Sequence, residues 1–441
     1  MSSEIDAGDR RARIDRDADW IPVAAAVRSI LDAVAPLGTE AVPLADALGR
    51  VLAEPIDSPI DQPPWDNSAM DGFAARAADV MGASADRPVV LSIVDSIPAG
   101  GFPRRELAAG QAARIMTGAP VPTGADCVIR AEHTRAAGGD RIAITDDSDA
   151  SRNVRHRGED IRRGSRVLEP GRRLRPAELG LLATVGRAQA VVHRRPRVAL
   201  LSTGDELVDL DAYAEAEAGR RIVNSNGYAL AAAVVATGGT PLSLGIARDD
   251  ASSLRERVEP GLEADALVTT AGASVGEHDL VKDVLEAIGM RLHFWRVRMR
   301  PGSPASFGTI ARDGRAALPV FGLPGNPVSA LVTFEVLVRP ALRRLAGRTA
   351  VHTRTVRVRT AEPMPARGAL THFLRVKLET RNGELLARLT GPQGSGLLTS
   401  MTEADALLVV PADSQGLAAG VSGAAIRLDA GDDAQPQIGY S

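Results

Sequence analysis

Val23, Val27, Ile30, Leu31 and Val34 recur at helical spacing and make helix the dominant reading of Ile21–Leu52, with a second short apolar helix over Pro43–Leu52. From Pro55 to Ile161 the pattern changes to short β runs separated by Gly and Pro. Val89–Val94, Ala112–Met116, Cys127–Arg130 and Arg141–Thr145 are examples, and together they read as a small β-rich domain. Helical spacing returns over Arg175–Val185, so the helical part continues after the insertion as one discontinuous stalk.

Between Arg197 and Leu345 strands and helices alternate. Strand Val198–Leu201 precedes a helix over Asn226–Ala236, strand Pro241–Ala247 a helix over Ser252–Val258, and strand Ala266–Thr270 a helix over Leu280–Ile288. Strands Leu292–Val297 and Pro319–Leu323 follow, then a helix over Val328–Leu345. This rhythm predicts a doubly wound, largely parallel sheet, whose ligands sit beyond the carboxyl ends of its strands. The remaining chain reads as strands alone, among them Thr355–Arg359, Phe373–Glu379, Leu385–Leu389 and Ala406–Val410. Asn382-Gly383 between two of them signals a type I′ hairpin, and a small barrel or sandwich is expected.

The expected division is a disordered leader over 1–19, a stalk from 20–58 and 162–195, and an inserted β-rich domain over 59–161. An α/β domain over 196–348 and a C-terminal β domain over 349–441 complete it. The length of 441 residues supports this, since one core rarely serves so long a chain. A net charge of -3 leaves no electrostatic footprint for nucleic acid. Cys127 is the single cysteine, which excludes an intramolecular disulfide framework and any multi-thiolate metal site. No apolar run approaches the roughly 18 residues of a membrane span, and the Arg/Asp-rich leader lacks the apolar region of a signal peptide. A cytoplasmic location is therefore expected. Only Lys282 and Lys377 are lysines among 52 basic residues, so an arginine in place of a lysine says little about function here.

Chemistry concentrates at the predicted strand ends. Ser202-Thr203-Gly204-Asp205-Glu206, Ala271-Gly272-Ala273-Ser274-Val275-Gly276 and Pro324-Gly325-Asn326-Pro327 each follow a strand. Glycine lets backbone approach a ligand, and amides at helix starts favour phosphate, although each loop alone is equally a tight turn. Asp205, Glu206, Asp249, Asp250 and Asp279 also fall just past strand ends. Five carboxylates beside phosphates call for a hard cation such as Mg²⁺, while any one of them read alone is a helix cap or turn residue. Arg296, Arg298 and Arg300 alternate onto one strand face, as a solvated face or an oxyanion clamp. Two irregular segments, Pro63–Phe73 and Asn153–Ile161, carry dense polar groups in neither a helical nor a strand pattern. His133, His156 and His278 are too scattered for a zinc signature.

From Ile21 to Leu428 the chain resembles the molybdopterin molybdenumtransferase family, shared with the C-terminal catalytic part of gephyrin. The resemblance rests on PPWDNSAMDGFA (Pro63–Ala74), RIMTGAPVPTGADCVI (Arg114–Ile129) and NVRHRGEDI (Asn153–Ile161). STGDEL (Ser202–Leu207), AGASVGEHD (Ala271–Asp279), RPGSPASFG (Arg300–Gly308) and GLPGNPVSA (Gly322–Ala330) extend it in the same order.

The resemblance implies a multidomain α/β plus β fold: a helical stalk with an inserted β-rich domain, a doubly wound molybdopterin-binding α/β domain and a C-terminal β-barrel. It implies a homodimer whose active site joins the α/β domain of one subunit to the inserted domain of the other. The implied reaction inserts molybdenum from molybdate into adenylylated molybdopterin, with Mg²⁺ bound and AMP released. By motif, the family's functional acids fall on Asp71, Asp160, Glu206, Asp249 and Asp279, and its threonine on Thr117. Asp279 and Glu206 are the expected metal ligands. Gly272, Ser274, Gly276, Arg296, Arg300, Pro324, Pro327 and Ser395 are the expected substrate contacts. A molybdopterin adenylyltransferase is a candidate partner. Ser303 stands where the family has a lysine, and Ala271 where it commonly has glycine. A molybdopterin adenylyltransferase resembles the α/β domain but usually lacks the other two domains, and the retained acids count against a scaffold without catalysis. Molybdate is the expected metal source, with tungstate as the alternative that the sequence does not exclude.

Overall fold

A computed structural model describes residues 20–270 and 280–428. These divide into two compact units, one of 20–53, 171–175 and 190–428, the other of 54–170 and 176–189.

The larger unit is organised by a six-stranded sheet. Its elements are β1 (Arg197–Thr203), α2 (Ser225–Thr237), β2 (Thr240–Ala247), α3 (Ala251–Val258), β3 (Ala266–Thr270) and α4 (Leu280–Ala287). β4 (Met290–Phe294), β5 (Ser306–Arg312) and β6 (Arg315–Leu323) complete it, in spatial order β2-β1-β3-β6-β5-β4. The first four strands of that order are parallel, and β5 runs against both β6 and β4. Helices cover both faces, so the strands are apolar on both sides. Along β1, Val198 and Leu200 enter one core while Ala199 and Leu201 enter the other. α1 (Val23–Ala33), placed by its buried Ala26 and Ile30, packs on the first face with α2 and the helical run 327–345. α3 and α4 cover the second face through Leu254, Val258, Val281, Val284 and Leu285. Phe334–Val338 is a π-helical turn within that long run. Pro340 lacks the N–H that would bond back one turn, and the wider turn absorbs the defect.

The second helix expected over Pro43–Leu52 does not form. Thr39–Pro43 is a strand, Leu44–Asp46 one 3₁₀ turn, and Val51 and Leu52 make isolated β-bridges to Arg173 and Val192. Gly49 adopts φ +77°, outside the helical region, and the backbone N–H groups of Gly49 and Leu52 donate to Leu174 and Arg172 instead. The hairpin of β5 and β6 was not anticipated, although Asp313-Gly314 is its turn and a recognised hairpin signal. The expected strand over Leu292–Val297 is divided into β4 and a separate pair, Arg296–Val297.

β7 (Thr355–Thr360), β8 (Thr371–Arg381), β9 (Glu384–Leu389), β10 (Ala406–Val410) and β11 (Ser422–Arg427) follow, ordered β8-β9-β7-β11-β10. β10 also pairs with β8, which closes a five-stranded barrel. Asn382 and Gly383 both have positive φ, as the expected turn requires.

The smaller unit holds its own six-stranded sheet, ordered Cys127–Arg130, Gly72–Ala75, Gln111–Ile115, Val89–Ile97, Arg141–Ile144 and Thr134–Ala136. Helix Pro176–Thr184 belongs to the same unit. Among the described residues no helix is long and apolar enough to cross a membrane.

Candidate functional site

The strand order puts the segments following Thr203, Ala247 and Leu323 at one carboxyl edge. There Asp205 and Asp249 are coupled: each backbone N–H donates to the other's carboxylate, both at 3.4 Å. Glu206 folds its carboxylate back over Gly204, where an added Cβ would lie 2.5 Å from Oε2. Glycine is therefore required for that side-chain placement. Asp250 serves as the N-cap of α3, accepting from the Ser253 N–H at 2.8 Å, so it leaves the expected acid cluster. Among the described residues no three His, Cys, Asp or Glu side chains form a metal centre. Gly272, Ser274, Gly276 and Asp279 lie outside the described residues.

Beneath the edge is a buried polar layer that periodicity alone did not single out. Thr270 Oγ1 donates to Ser202 Oγ at 3.1 Å, and Ser202 Oγ donates to Asn224 Oδ1 at 2.8 Å. Asn224 Oδ1 also caps α2 through the Gly227 N–H. Asn226 Nδ2 donates to the Gly325 carbonyl at 2.7 Å, tying the helix start to the Pro324–Pro327 loop. The run Asn224-Ser225-Asn226-Gly227, dense in cap formers before an apolar helix, was the available signal. Asn226→Ala should lower the unfolding free energy by about 1 kcal/mol, the worth of one such bond. It should also speed amide exchange at Gly325 and Asn326; protection equal to wild type would show that the loop is held otherwise.

The arginines leave the same edge, because β4 runs in the sense of β6, two antiparallel pairings away. Their alternation holds: Val297 and Met299 are fully buried, while Arg296, Arg298 and Arg300 take the other face. Two short strands carry them rather than one. Arg296–Val297 pairs with Trp20–Ile21, and Met299–Arg300 pairs with β8. The Arg296 guanidinium lies 5.9 Å from the Trp20 ring centroid, a cation–π placement. Ser303 Oγ donates to the Met299 carbonyl at 2.5 Å and closes the following loop on itself.

Pro324 is buried and Pro327 opens the helix that follows. The Val328 N–H donates to the Ser395 carbonyl at 3.1 Å, which sets the Ser395 backbone against the end of the Pro324–Pro327 loop. That contact uses backbone, which any residue supplies. The Ser395 loop is held from below by Arg375, which is fully buried on β8. Its guanidinium donates to Ser400 Oγ at 2.9 Å and to the carbonyls of Gly394 at 3.0 Å and Pro392 at 3.4 Å.

Asp71, Thr117 and Asp160 belong to the smaller unit. Asp71 Oδ1 accepts from both the N–H and the hydroxyl of Thr117, each at 2.7 Å. Those two donors, the N–H foremost, hold the Asp71 carboxyl below its ordinary range. Asp71 therefore keeps its charge to lower pH than an unpaired aspartate does. Thr117→Val removes the hydroxyl donor, and the Asp71 titration should move to higher pH when followed by carboxyl NMR; an unmoved titration would mean the N–H alone sets it. Gly72 permits the close approach of this strand to its neighbour, since a Cβ there would lie 2.0 Å from the Ile129 carbonyl oxygen.

The two irregular segments form one surface. The Gly158 N–H donates to Pro63 O, the Asp160 N–H to Gln62 O and the Ala69 N–H to Asn153 O. The Arg157 N–H donates to Asp66 Oδ1 at 2.7 Å. Trp65 meets Phe102 edge-to-face, with ring centroids 5.0 Å apart and both rings partly exposed. Phe102 stands far from Trp65 in sequence, inside a Gly- and Pro-rich stretch, and nothing in its local pattern marked it.

Residues 21–186 match the MoeA N-terminal region (domain I and II), 199–344 the probable molybdopterin binding domain, and 357–422 the MoeA C-terminal region (domain IV). The chain is 39% identical over 377 residues to the molybdopterin molybdenumtransferase of Nostoc sp., covering 85% of each chain. It is 35% identical over 404 residues to that of Bacillus subtilis, covering 91% of this chain and 92% of that one. The chain belongs to the molybdopterin molybdenumtransferase family. A molybdopterin biosynthesis MoeA protein from Pyrococcus horikoshii OT3 shares the fold at a TM-score of 0.79 and 30% identity, covering 92% of this chain and all of that one. As a member of the molybdopterin molybdenumtransferase family, the chain is a transferase acting at a step of molybdenum cofactor biosynthesis. The carboxyl edge described above lies within the region matched as the probable molybdopterin binding domain.

Proposed function

We propose that the chain inserts molybdenum from molybdate into adenylylated molybdopterin, with release of AMP, as the closing step of cofactor synthesis. The observation that carries this reading is the shared edge: acids following β1 and β2, and arginines following β4, leave one side of one sheet. Molybdate and an adenylyl phosphate are both anions, so bringing them together requires positive charge and a bridging cation. Arg296 and Arg300 supply fixed positive charge, and the Pro324–Pro327 loop supplies backbone groups close to the substrate.

The donors available for a metal at this edge are carboxylate oxygens, which suits Mg²⁺. That ion takes one or two carboxylates and completes its shell with water and substrate phosphate. Glu206 and Asp279 are the proposed ligands, and Asp249 is assigned to the same reaction. When bound, Mg²⁺ supplies charge neutralisation between molybdate and phosphate oxygens. Gly272, Ser274 and Gly276 are assigned to the phosphate-facing loop and Ser395 to substrate contact from the barrel. Asp71, Asp160 and Thr117 are assigned to the same reaction, brought to it from the inserted domain of a second subunit in a homodimer. Dithiolene sulfurs belong to the substrate, and Cys127, buried and with its thiol pushed up to about 11 by that burial, takes no part.

The test incubates the protein with adenylylated molybdopterin, molybdate and Mg²⁺, following AMP and metal-containing cofactor together. Stoichiometric appearance of both is expected. AMP without cofactor, or cofactor from molybdopterin that was never adenylylated, would replace this reading.

A further inference from the structure

A cavity of ≈ 210 Å³ opens at the amino end of the same sheet, away from the carboxyl edge. Arg194 and Arg195, just before β1, line it together with Gly238 and Gly239, just before β2. Arg50, Arg173 and Arg348 line it too, and among the described residues no acidic side chain does. Against about 30 Å³ for a water, the space admits a compact group of several heavy atoms.

Its charge is out of balance. Arg50 pairs with Glu40, and Arg194 lies 3.6 Å from Asp265. Among the described residues Arg173, Arg195 and Arg348 form no ion pair. Arg348 Nε is buried without a hydrogen-bond partner, as is Nε of nearby Arg343. Burial, and then Arg343, Arg173 and Arg339, push the Arg348 pKa down to about 10. α2 and the long helix both end here, and each helix end contributes at most about half a negative charge. Their last carbonyls already accept from Gly238, Ala346 and Gly347. Roughly one unit of diffuse negative charge therefore faces three unpaired guanidinium groups. Arg173 and Arg195 are exposed at the mouth and Arg348 is half-buried, so the uncompensated desolvation falls on Arg348, whose Nε lacks a partner.

We propose that this cavity is a second anion site, distinct from the carboxyl edge, which takes a small multivalent oxyanion of the phosphate class between Arg173, Arg195 and Arg348. Planar guanidinium forks match paired phosphate oxygens, and three of them favour a ligand with at least two negative charges over chloride or a carboxylate. The ligand is either free inorganic polyphosphate or the terminal phosphate of an ester.

Calorimetric titration of the full chain with inorganic pyrophosphate, and separately with glycerol 3-phosphate, tests this. Saturable binding of at least one probe is expected, and the tighter probe identifies the source. Arg195→Glu should weaken that binding at least about tenfold, the loss expected for a well-formed charge-assisted contact. Arg195 is exposed, so its replacement does not endanger the fold. Arg348→Ala should weaken binding comparably. Absence of saturable binding by either probe overturns the site. Binding left unchanged by both substitutions would put the anion elsewhere and overturn it equally.

Discussion

Glu206→Ala should cut Mg²⁺-dependent AMP release by at least roughly 10-fold, the low end for disturbing a metal's ligand shells. Glu206 is exposed at the turn after β1, and its carboxylate lies over Gly204 without supporting any element. Its removal leaves the buried layer of Ser202, Asn224 and Thr270 intact, so circular dichroism and the melting temperature should stay at wild-type values. The loss should be largest at limiting Mg²⁺ and shrink as the metal is raised, because Asp249 and substrate phosphate oxygens remain. The measurement is AMP release across a Mg²⁺ titration with adenylylated molybdopterin and molybdate. A rate equal to wild type at the lowest Mg²⁺ would make Glu206 a surface acid and nothing more.

Arg375→Met should lower the unfolding free energy of the barrel by roughly 3 kcal/mol or more. The side chain is fully buried, and its length would be retained while its donors are lost. Ser400 Oγ and the carbonyls of Pro392 and Gly394 would then have no guanidinium to accept from. Burial already pushes the guanidinium pKa below its ordinary value. A second effect reaches further. The Ser395 carbonyl, released from its support, should lose its bond from the Val328 N–H, and the Pro324–Pro327 loop should loosen with it. Amide exchange at Val328 reads that directly. Wild-type protection at Val328 beside a destabilised barrel would show that the loop stands without the barrel.

The α/β sheet was legible in the chain because its strands bury both faces and read as continuous apolar runs bounded by glycine. The barrel was legible through its spacing of short strands and through Asn382-Gly383. The segment after Pro43 was misread because its apolar residues pair with backbone from 172–174 and 191–193, and periodicity carries no record of a partner 120 residues away. The same limit explains Arg375. As one more arginine among fifty it carried no local mark, and only burial shows its role. Asp250 illustrates the opposite error, a residue in the right place whose side chain is committed to capping α3. Arg296 and Arg300 could be placed on one face from alternation alone, whereas Trp20 beneath Arg296 could not.

The packing of α1 has a consequence for the order in which the protein is made. Its buried Ala26 and Ile30, with Val34 just past its end, share one core with Phe334, Leu337 and Leu342 in the run 327–345. Those partners leave the ribosome about three hundred residues later, a delay of roughly 15 to 60 s at typical elongation rates. Throughout that interval the smaller unit, local in sequence over most of its length, can assemble while the apolar stripe of α1 remains without its partners. The nascent chain thus carries an adhesive helix until the run 327–345 has been made. Chaperone dependence during synthesis should accordingly track the apolar surface of Val23–Ala33 more than the composition of the chain as a whole.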